Sequence, residues 1–371
     1  MQQNLPDDKK LMAQMLDGWG IGRVQSITDA PSPWSPPRRG RRDMLVAAGR
    51  RKYIVRFEAG RSEIDVRREV DLQVFLNKNG FPCPQPVADK TSRHLKYFGD
   101  ELVVAYRHID GRRRSTVDLS AAQIENVGRS LAELHVLGKG YKKGIDSRFS
   151  FTRVADSYEE IRDHLPPYFK KIKRTFDEEV EYLGGYLEGK LPKGVIHGEM
   201  IDEGILLKGD RLVGVLDFSA ACRGKLIYDL ACAVNAVCFV DGAYDLKRFE
   251  TLIAGYEQLR TLSLAEWDAF PNELRFSALR FAVRFLVELR RLPDAERRLA
   301  AITEGRVGEY DPEDSITRKM IGFEQYHARL AILRRERDGG MDKLLLAMAT
   351  GYDYRRYQKV KATTRAAKAQ K

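Results

Sequence analysis

The sequence has 371 residues, 43% of them hydrophobic and 32% charged, with a formal net charge of +11. These values exclude a disordered or fibrous chain and predict a globular protein with a large core in two lobes or domains. No apolar run is long enough to span a bilayer, and the polar start MQQNLPDDKK is unlike a secretory signal, so a cytoplasmic protein is expected. The four cysteines, Cys83, Cys222, Cys232 and Cys238, form no CxxC pair and read as buried free thiols of a reducing compartment.

Residues 8–20 read as a short helix with Leu11, Met12 and Met15 on one face. Strands are expected at Gly22–Ile27, Met44–Ala48 and Tyr53–Phe57, the last from its alternation. Ser62-Glu63-Ile64-Asp65 has the form of an N-terminal cap, and Val66, Val70, Leu72, Phe75 and Leu76 give the following helix an apolar face that Gly80 ends. Pro82, Pro84 and Pro86 make an extended connection to Val87. Glu101–Tyr106, with the run Leu102-Val103-Val104, reads as a buried strand. The first part is therefore a small antiparallel sheet carrying one helix.

From about residue 118 the pattern turns helical. Leu119–Leu137 is amphipathic, with Ile124, Val127, Leu131, Leu134 and His135 in step. Residues 152–188 form charged helices broken at Pro166-Pro167, and strands and an acidic loop follow over 195–218. Leu226–Val240 reads as one buried helix, and 245–262, 271–291 and 313–336 complete a bundle. Gly339-Gly340 separates this body from a basic tail. The division predicted is an N-terminal helical segment (1–20), a sheet-bearing lobe (21–107), a helical lobe (108–338) and the tail (339–371). Positive charge concentrates in Pro36–Arg42 and in Tyr354–Lys371. Either cluster would suit an anionic partner, or else a solvated loop and tail.

In order and spacing, several segments resemble the aminoglycoside phosphotransferase and choline kinase superfamily, and within it homoserine kinases of that fold. They are Tyr53–Glu58, Gly80–Asp89, Val127–His135, Gly194–His197, Gly209–Phe218 and Leu226–Ala231. The resemblance covers roughly residues 20–335. It implies an α+β, protein-kinase-like, two-lobed fold: a small antiparallel N-lobe with one helix, and a larger, mainly helical C-lobe. It also implies ATP and Mg2+ as cofactors and a small amino-acid-like substrate. A kinase of this shape clamps phosphates with a strand cation, orients the attacking hydroxyl with a loop carboxylate and holds magnesium with hard oxygen ligands.

Carried onto this sequence, Asp217 is the magnesium carboxylate at a strand end. Glu199 stands where the family has the catalytic loop Asp, and Gly204 where it has the loop Asn. Glu203 is the candidate replacement ligand. Arg56 occupies the strand-lysine position and is expected to pair with Glu69. Ala105, Tyr106, Arg107 and His108 form the hinge that would bind adenine through backbone groups. His197 and Asp229 are expected to brace the loop rather than act on substrate.

Glu199 is one methylene longer than Asp, and Gly204 offers no side-chain oxygen. An arginine fork differs from a lysine point charge at a phosphate. The hairpin between the first two strands is rich in proline, which has no N–H to offer phosphate. Together these departures point to a degenerate protein that binds a nucleotide or a protein partner as a scaffold or regulator. The alternative is an active phosphotransferase acting on the hydroxyl of a small amino-acid-like or amine metabolite.

Overall fold

The computed structural model describes residues 16, 18–30, 41–144, 149–186, 190–200, 204–311 and 314–339. The expected helix over 8–20 falls almost wholly outside these residues, as do residues 36–40 of the arginine cluster, Glu203 and the basic tail. The chain divides into two compact units, neither contiguous in sequence. The first comprises residues 1–115, 137–145 and 202–221, and the second the remainder.

The first unit is built on a five-stranded antiparallel sheet of order β1-β2-β3-β5-β4. Its strands are β1 (Val24–Asp29), β2 (Arg41–Ala48), β3 (Arg51–Glu58), β4 (Leu95–Phe98) and β5 (Glu101–Arg107). Both faces are covered, which is why β5 reads as a continuous apolar run. On one face Met44, Val46, Tyr53, Val55, Phe57, Val103 and Ala105 pack with Leu16, Trp19 and Ile27. On the other, Ile54, Leu102, Val104 and Tyr106 pack with Val66 and Val70 of helix α1 (Glu63–Lys78). Ser62 caps α1, its Oγ accepting the Asp65 N–H at 3.2 Å.

A later hairpin, β7 (Ile205–Lys208) with β8 (Arg211–Val215), adds Leu206 and, just beyond it, Leu216 to the same cluster. Strand β2 begins at Arg41, earlier than its apolar pattern suggests, so Arg41 and Arg42 belong to the sheet. The edge strand β4, only four residues long and without a buried face, escaped the sequence reading.

The second unit is mainly helical. Its helices are α2 (Ala121–Gly138), α3 (Phe151–Arg162), α4 (Lys170–Gly184), α5 (Leu226–Val237), α6 (Leu246–Glu257), α7 (Leu264–Arg290), α8 (Ala295–Thr303) and α9 (Ser315–Gly339). Strand β6 (Lys193–Ile196) pairs antiparallel with β9 (Cys222–Lys225) at the foot of α5. Helix α7 packs against α3, α5 and α9.

Two boundaries differ from expectation. The helix read to Val240 ends at Val237, and Phe239–Val240 turn into a short hairpin (β10) with Ala243–Tyr244 (β11). Helix α7 starts before Pro271 because Ser263 and Glu266 form a reciprocal capping box, and Pro271 lies inside it. Helices α2 and α6 meet backbone to backbone. A Cβ on Gly128 would lie 2.0 Å from the Leu252 carbonyl oxygen, and one on Gly255 2.1 Å from that of Glu125.

Candidate functional site

In the first unit the side-chain period of two puts Arg41 and Asp43 of β2 on one face with Arg56 and Glu58 of β3. Arg56 donates from Nε and Nη2 to Asp43 at 2.8 and 2.7 Å, a bidentate pair between residues directly opposite in the ladder. Where a pairing of Arg56 with Glu69 was expected, the ion pair seen is with Asp43. Asp43 already lies across the strand, and Glu69 instead accepts from Nη1 of Arg61 at 2.7 Å. Arg56 also lies over the Tyr106 ring, 5.5 Å from its centroid.

Arg41 is the residue that pattern reading left in a loop. Its Nη2 donates to Glu58 Oε1 at 2.9 Å, and its Nη1 lies 3.4 Å from Asp217 Oδ1. The Arg41 side chain is 3% exposed and that of Glu58 2%. Burial and the nearby Arg56 guanidinium work against the charge of Arg41, but Asp217, Glu58 and Glu69 outweigh them and raise its pKa. For Glu58, burial favours the neutral acid, and Arg41, Arg61 and Arg56 reverse that and hold it ionised below the usual carboxylate range.

Asp217 follows β8 with φ 60° and ψ 65°, a left-handed backbone rare for residues other than glycine. Ser219 Oγ donates to its Oδ1 at 2.7 Å. Non-glycine residues held in this region concentrate at functional positions.

The hinge residues lie on and just after β5. The N–H of Arg107 donates to the Gln85 carbonyl at 2.9 Å and that of His108 to the Lys52 carbonyl at 3.1 Å. The Ala105 carbonyl accepts from Val87 at 2.8 Å. Those two N–H groups are thus committed to the protein, as is one lone pair of the Ala105 carbonyl.

In the second unit Asp229, fully buried in α5, organises the loop after β6. It accepts the N–H of His197 at Oδ2 and that of Gly198 at Oδ1, both at 2.7 Å. His135 Nε2 lies 3.1 Å from the same Oδ2, and its Nδ1 lies 2.7 Å from the Tyr256 hydroxyl. Arg260 donates to that hydroxyl at 2.8 Å. The chain is consistent with one assignment: Arg260 to Tyr256 oxygen, Tyr256 O–H to His135 Nδ1, and His135 Nε2–H to Asp229. Burial would raise the Asp229 pKa, but His135 and the loop N–H groups lower it.

Glu199, in the same loop, is gripped by α7. Arg280 Nη2 and Arg284 Nη1 donate to its Oε1 at 2.5 and 2.6 Å, and Arg280 Nη1 also donates to the Gly198 carbonyl at 3.1 Å. The buried Arg280 guanidinium lies 3.8 Å from the Phe149 ring centroid. Sequence reasoning missed both arginines. Their one signal is two cations four residues apart in the mainly apolar stretch Phe276–Val287 of that helix.

Among the described residues the donors do not fit a divalent ion. Asp217 carries a guanidinium, Gly204 has no side chain, and no cluster of three or more His, Cys, Asp or Glu side chains suited to a metal occurs among the described residues. Glu203 lies outside them.

Comparison with known proteins is consistent with this layout. The profile of the APH phosphotransferase enzyme family matches residues 35–262. A homoserine kinase of Beijerinckia indica is 29% identical over 64% of this chain and 74% of its own length. A homoserine kinase of Methylobacillus flagellatus is 27% identical over 75% of this chain and 84% of its own. Among solved structures, an amicoumacin kinase in complex with AMP-PNP and Ca2+ superposes with a TM-score of 0.62 at 14% identity, covering 85% of this chain and 99% of that one. A microcompartment-associated aminopropanol kinase gives 0.61 at 16%, covering 90% and 99%. At these identities the structural likeness speaks to the fold. No helix among the described residues is long and apolar enough to cross a membrane.

Proposed function

Because the chain belongs to the phosphotransferase enzyme family, we propose that it binds a nucleoside triphosphate and has lost efficient phosphoryl transfer, acting through the bound state as a regulator or scaffold. The observation that carries this reading is the state of Glu199. The carboxylate is turned toward α7, and its Oε1 already accepts from two guanidiniums, which compete with a substrate hydroxyl for the same lone pairs. Its extra methylene adds a displacement of about 1 Å, which alone can cost about a hundredfold in rate. Asp217 is likewise paired with an arginine, within its own unit.

A second reading, an active phosphotransferase, is favoured by a different observation. Asp229 braces the start of the loop through the His197 and Gly198 N–H groups, and Asp217 keeps a backbone conformation that is costly without a purpose. On that reading the acceptor is a hydroxyl of an amino-acid-like metabolite, the class named for the homoserine kinase relatives.

One experiment separates the two. Nucleotide binding is measured by calorimetry, and transfer from γ-labelled ATP is followed with homoserine and related amino alcohols as acceptors. The first reading expects binding with background transfer, and a rise in transfer when Glu199→Asp is combined with Gly204→Asn. Wild-type turnover abolished by Glu199→Ala would overturn it in favour of the second, and absence of nucleotide binding would overturn both.

A further inference from the structure

The misfit of the metal site has a specific form. The position beside Asp217 is taken by a cation belonging to the chain itself. Arg41 is buried, spans Glu58 and Asp217, and comes from a strand rather than a mobile surface loop. Resting on the nucleotide-binding reading above, we infer that Arg41 replaces the divalent cation at Asp217, so that this chain binds the phosphates of a nucleotide without metal.

The charges around Arg41 support the replacement. Three carboxylates (Glu58, Glu69 and Asp217) and two guanidiniums (Arg41 and Arg61) form one linked set of ion pairs, next to the separate Arg56–Asp43 pair. Without Arg41 the two carboxylates it bridges, Glu58 and Asp217, would lose their shared counter-ion, and a divalent cation is what two adjacent carboxylates of this kind accommodate. With Arg41 present, a dication at Asp217 would sit against a fixed positive charge in a poorly solvated place, where like charges repel most strongly.

The two contacts of Arg41 do not use all of its donors. Its bond to Glu58 is short, and its approach to Asp217, at 3.4 Å, is at the long end for N–H···O. A guanidinium has five N–H donors in a planar fork, so one arginine can hold a carboxylate with one edge and a phosphate oxygen with another. Arg56, by contrast, has its Nε and Nη2 edge committed to Asp43.

The test is calorimetric titration of the full-length chain with AMP-PNP, in EDTA and in excess Mg2+, alongside Mn2+ binding followed by electron paramagnetic resonance. For the wild type, the expected affinities in EDTA and Mg2+ agree within about threefold, and nucleotide recruits no tightly bound Mn2+. In Arg41→Ala, affinity in EDTA falls by about tenfold or more, the scale of a lost charge-assisted hydrogen bond, and Mg2+ restores part of it. Wild-type binding that appears only with Mg2+, or one tight Mn2+ per bound nucleotide, overturns the inference while leaving nucleotide binding intact. No binding in either buffer overturns both. The wild-type measurements decide the matter even if Arg41→Ala does not fold.

Discussion

Arg280 and Glu199 form a buried ion pair at 2.5 Å that also fixes the loop carbonyl of Gly198. The Arg280 side chain is 5% exposed, whereas Arg284, which shares Glu199, is 30% exposed and also pairs with Glu288. Glu199→Ala strands a buried guanidinium and is expected to cost about 3–5 kcal/mol. Arg284→Ala removes a cation that water can reach and is expected to cost no more than about 1 kcal/mol. Urea denaturation followed by circular dichroism at 222 nm measures both, and equal losses would contradict the asymmetry.

Asp229→Asn is nearly isosteric but fails electronically. Both carboxylate oxygens accept backbone N–H groups, so the amide nitrogen of Asn must face a donor in either orientation. One buried N–H is left without an acceptor, at about 1–3 kcal/mol. Chemical denaturation of the variant should show that loss, and a neutral result would mean the loop is not braced this way.

The same residue sets a direction for acid stability. The Asp229 pKa is lowered in the folded chain, burial notwithstanding, by His135 and the loop N–H groups. Its contribution is therefore fully present above the unfolded value of about 3.9 and is lost as pH falls through the lower folded value. Asp229→Asn should flatten the stability-versus-pH curve below about pH 4 relative to wild type. Parallel curves for the two proteins would refute this.

Gly128→Ala is expected to destabilise the second unit by about 1–3 kcal/mol, because its Cβ would stand 2.0 Å from a carbonyl oxygen of α6 and force the helices apart. Gly308→Ala is the control, since a Cβ there meets nothing within 4 Å, and should stay within about 0.5 kcal/mol of wild type. Thermal melts of the pair check the contrast.

All four cysteines are buried and free. Burial pushes the Cys83 and Cys238 thiols far up, and Cys232 up to about 12. Because the thiolate is the reactive form, Ellman's reagent should label none of them quickly in the native chain and all four in denaturant. Rapid native labelling of any one would show that its site opens.

The sheet, the capped helix after Ser62 and the strand-end Asp217 were legible because each is a local pattern: an alternation, a cap, a carboxylate after an apolar run. The position of Asp229 was legible from its segment. Partner choice was not. Arg56 was assigned to Glu69 on the expectation of a strand-to-helix ion pair, but ladder register put Asp43 opposite it, and register is a long-range property. Arg41 was hidden because a run of arginines after prolines looks like a solvated loop. Only the register of β2 against β3 shows that alternate members of Arg41-Arg42-Asp43 turn inward. Arg280 and Arg284 lie more than eighty residues from Glu199, and no spacing rule reaches that far.

The first unit draws its segments from three stretches of chain, the last ending at Ala221, and Leu206 and Leu216 from that stretch fill the cluster around Ile54, Val66 and Val70. A nascent chain therefore cannot finish this unit when the sheet has left the ribosome. At about 5–20 residues per second, the apolar face of α1 and β3 waits several seconds for the hairpin that closes it, while the opening helices of the second unit are already being made. During that interval the uncovered apolar face is open to association with other chains.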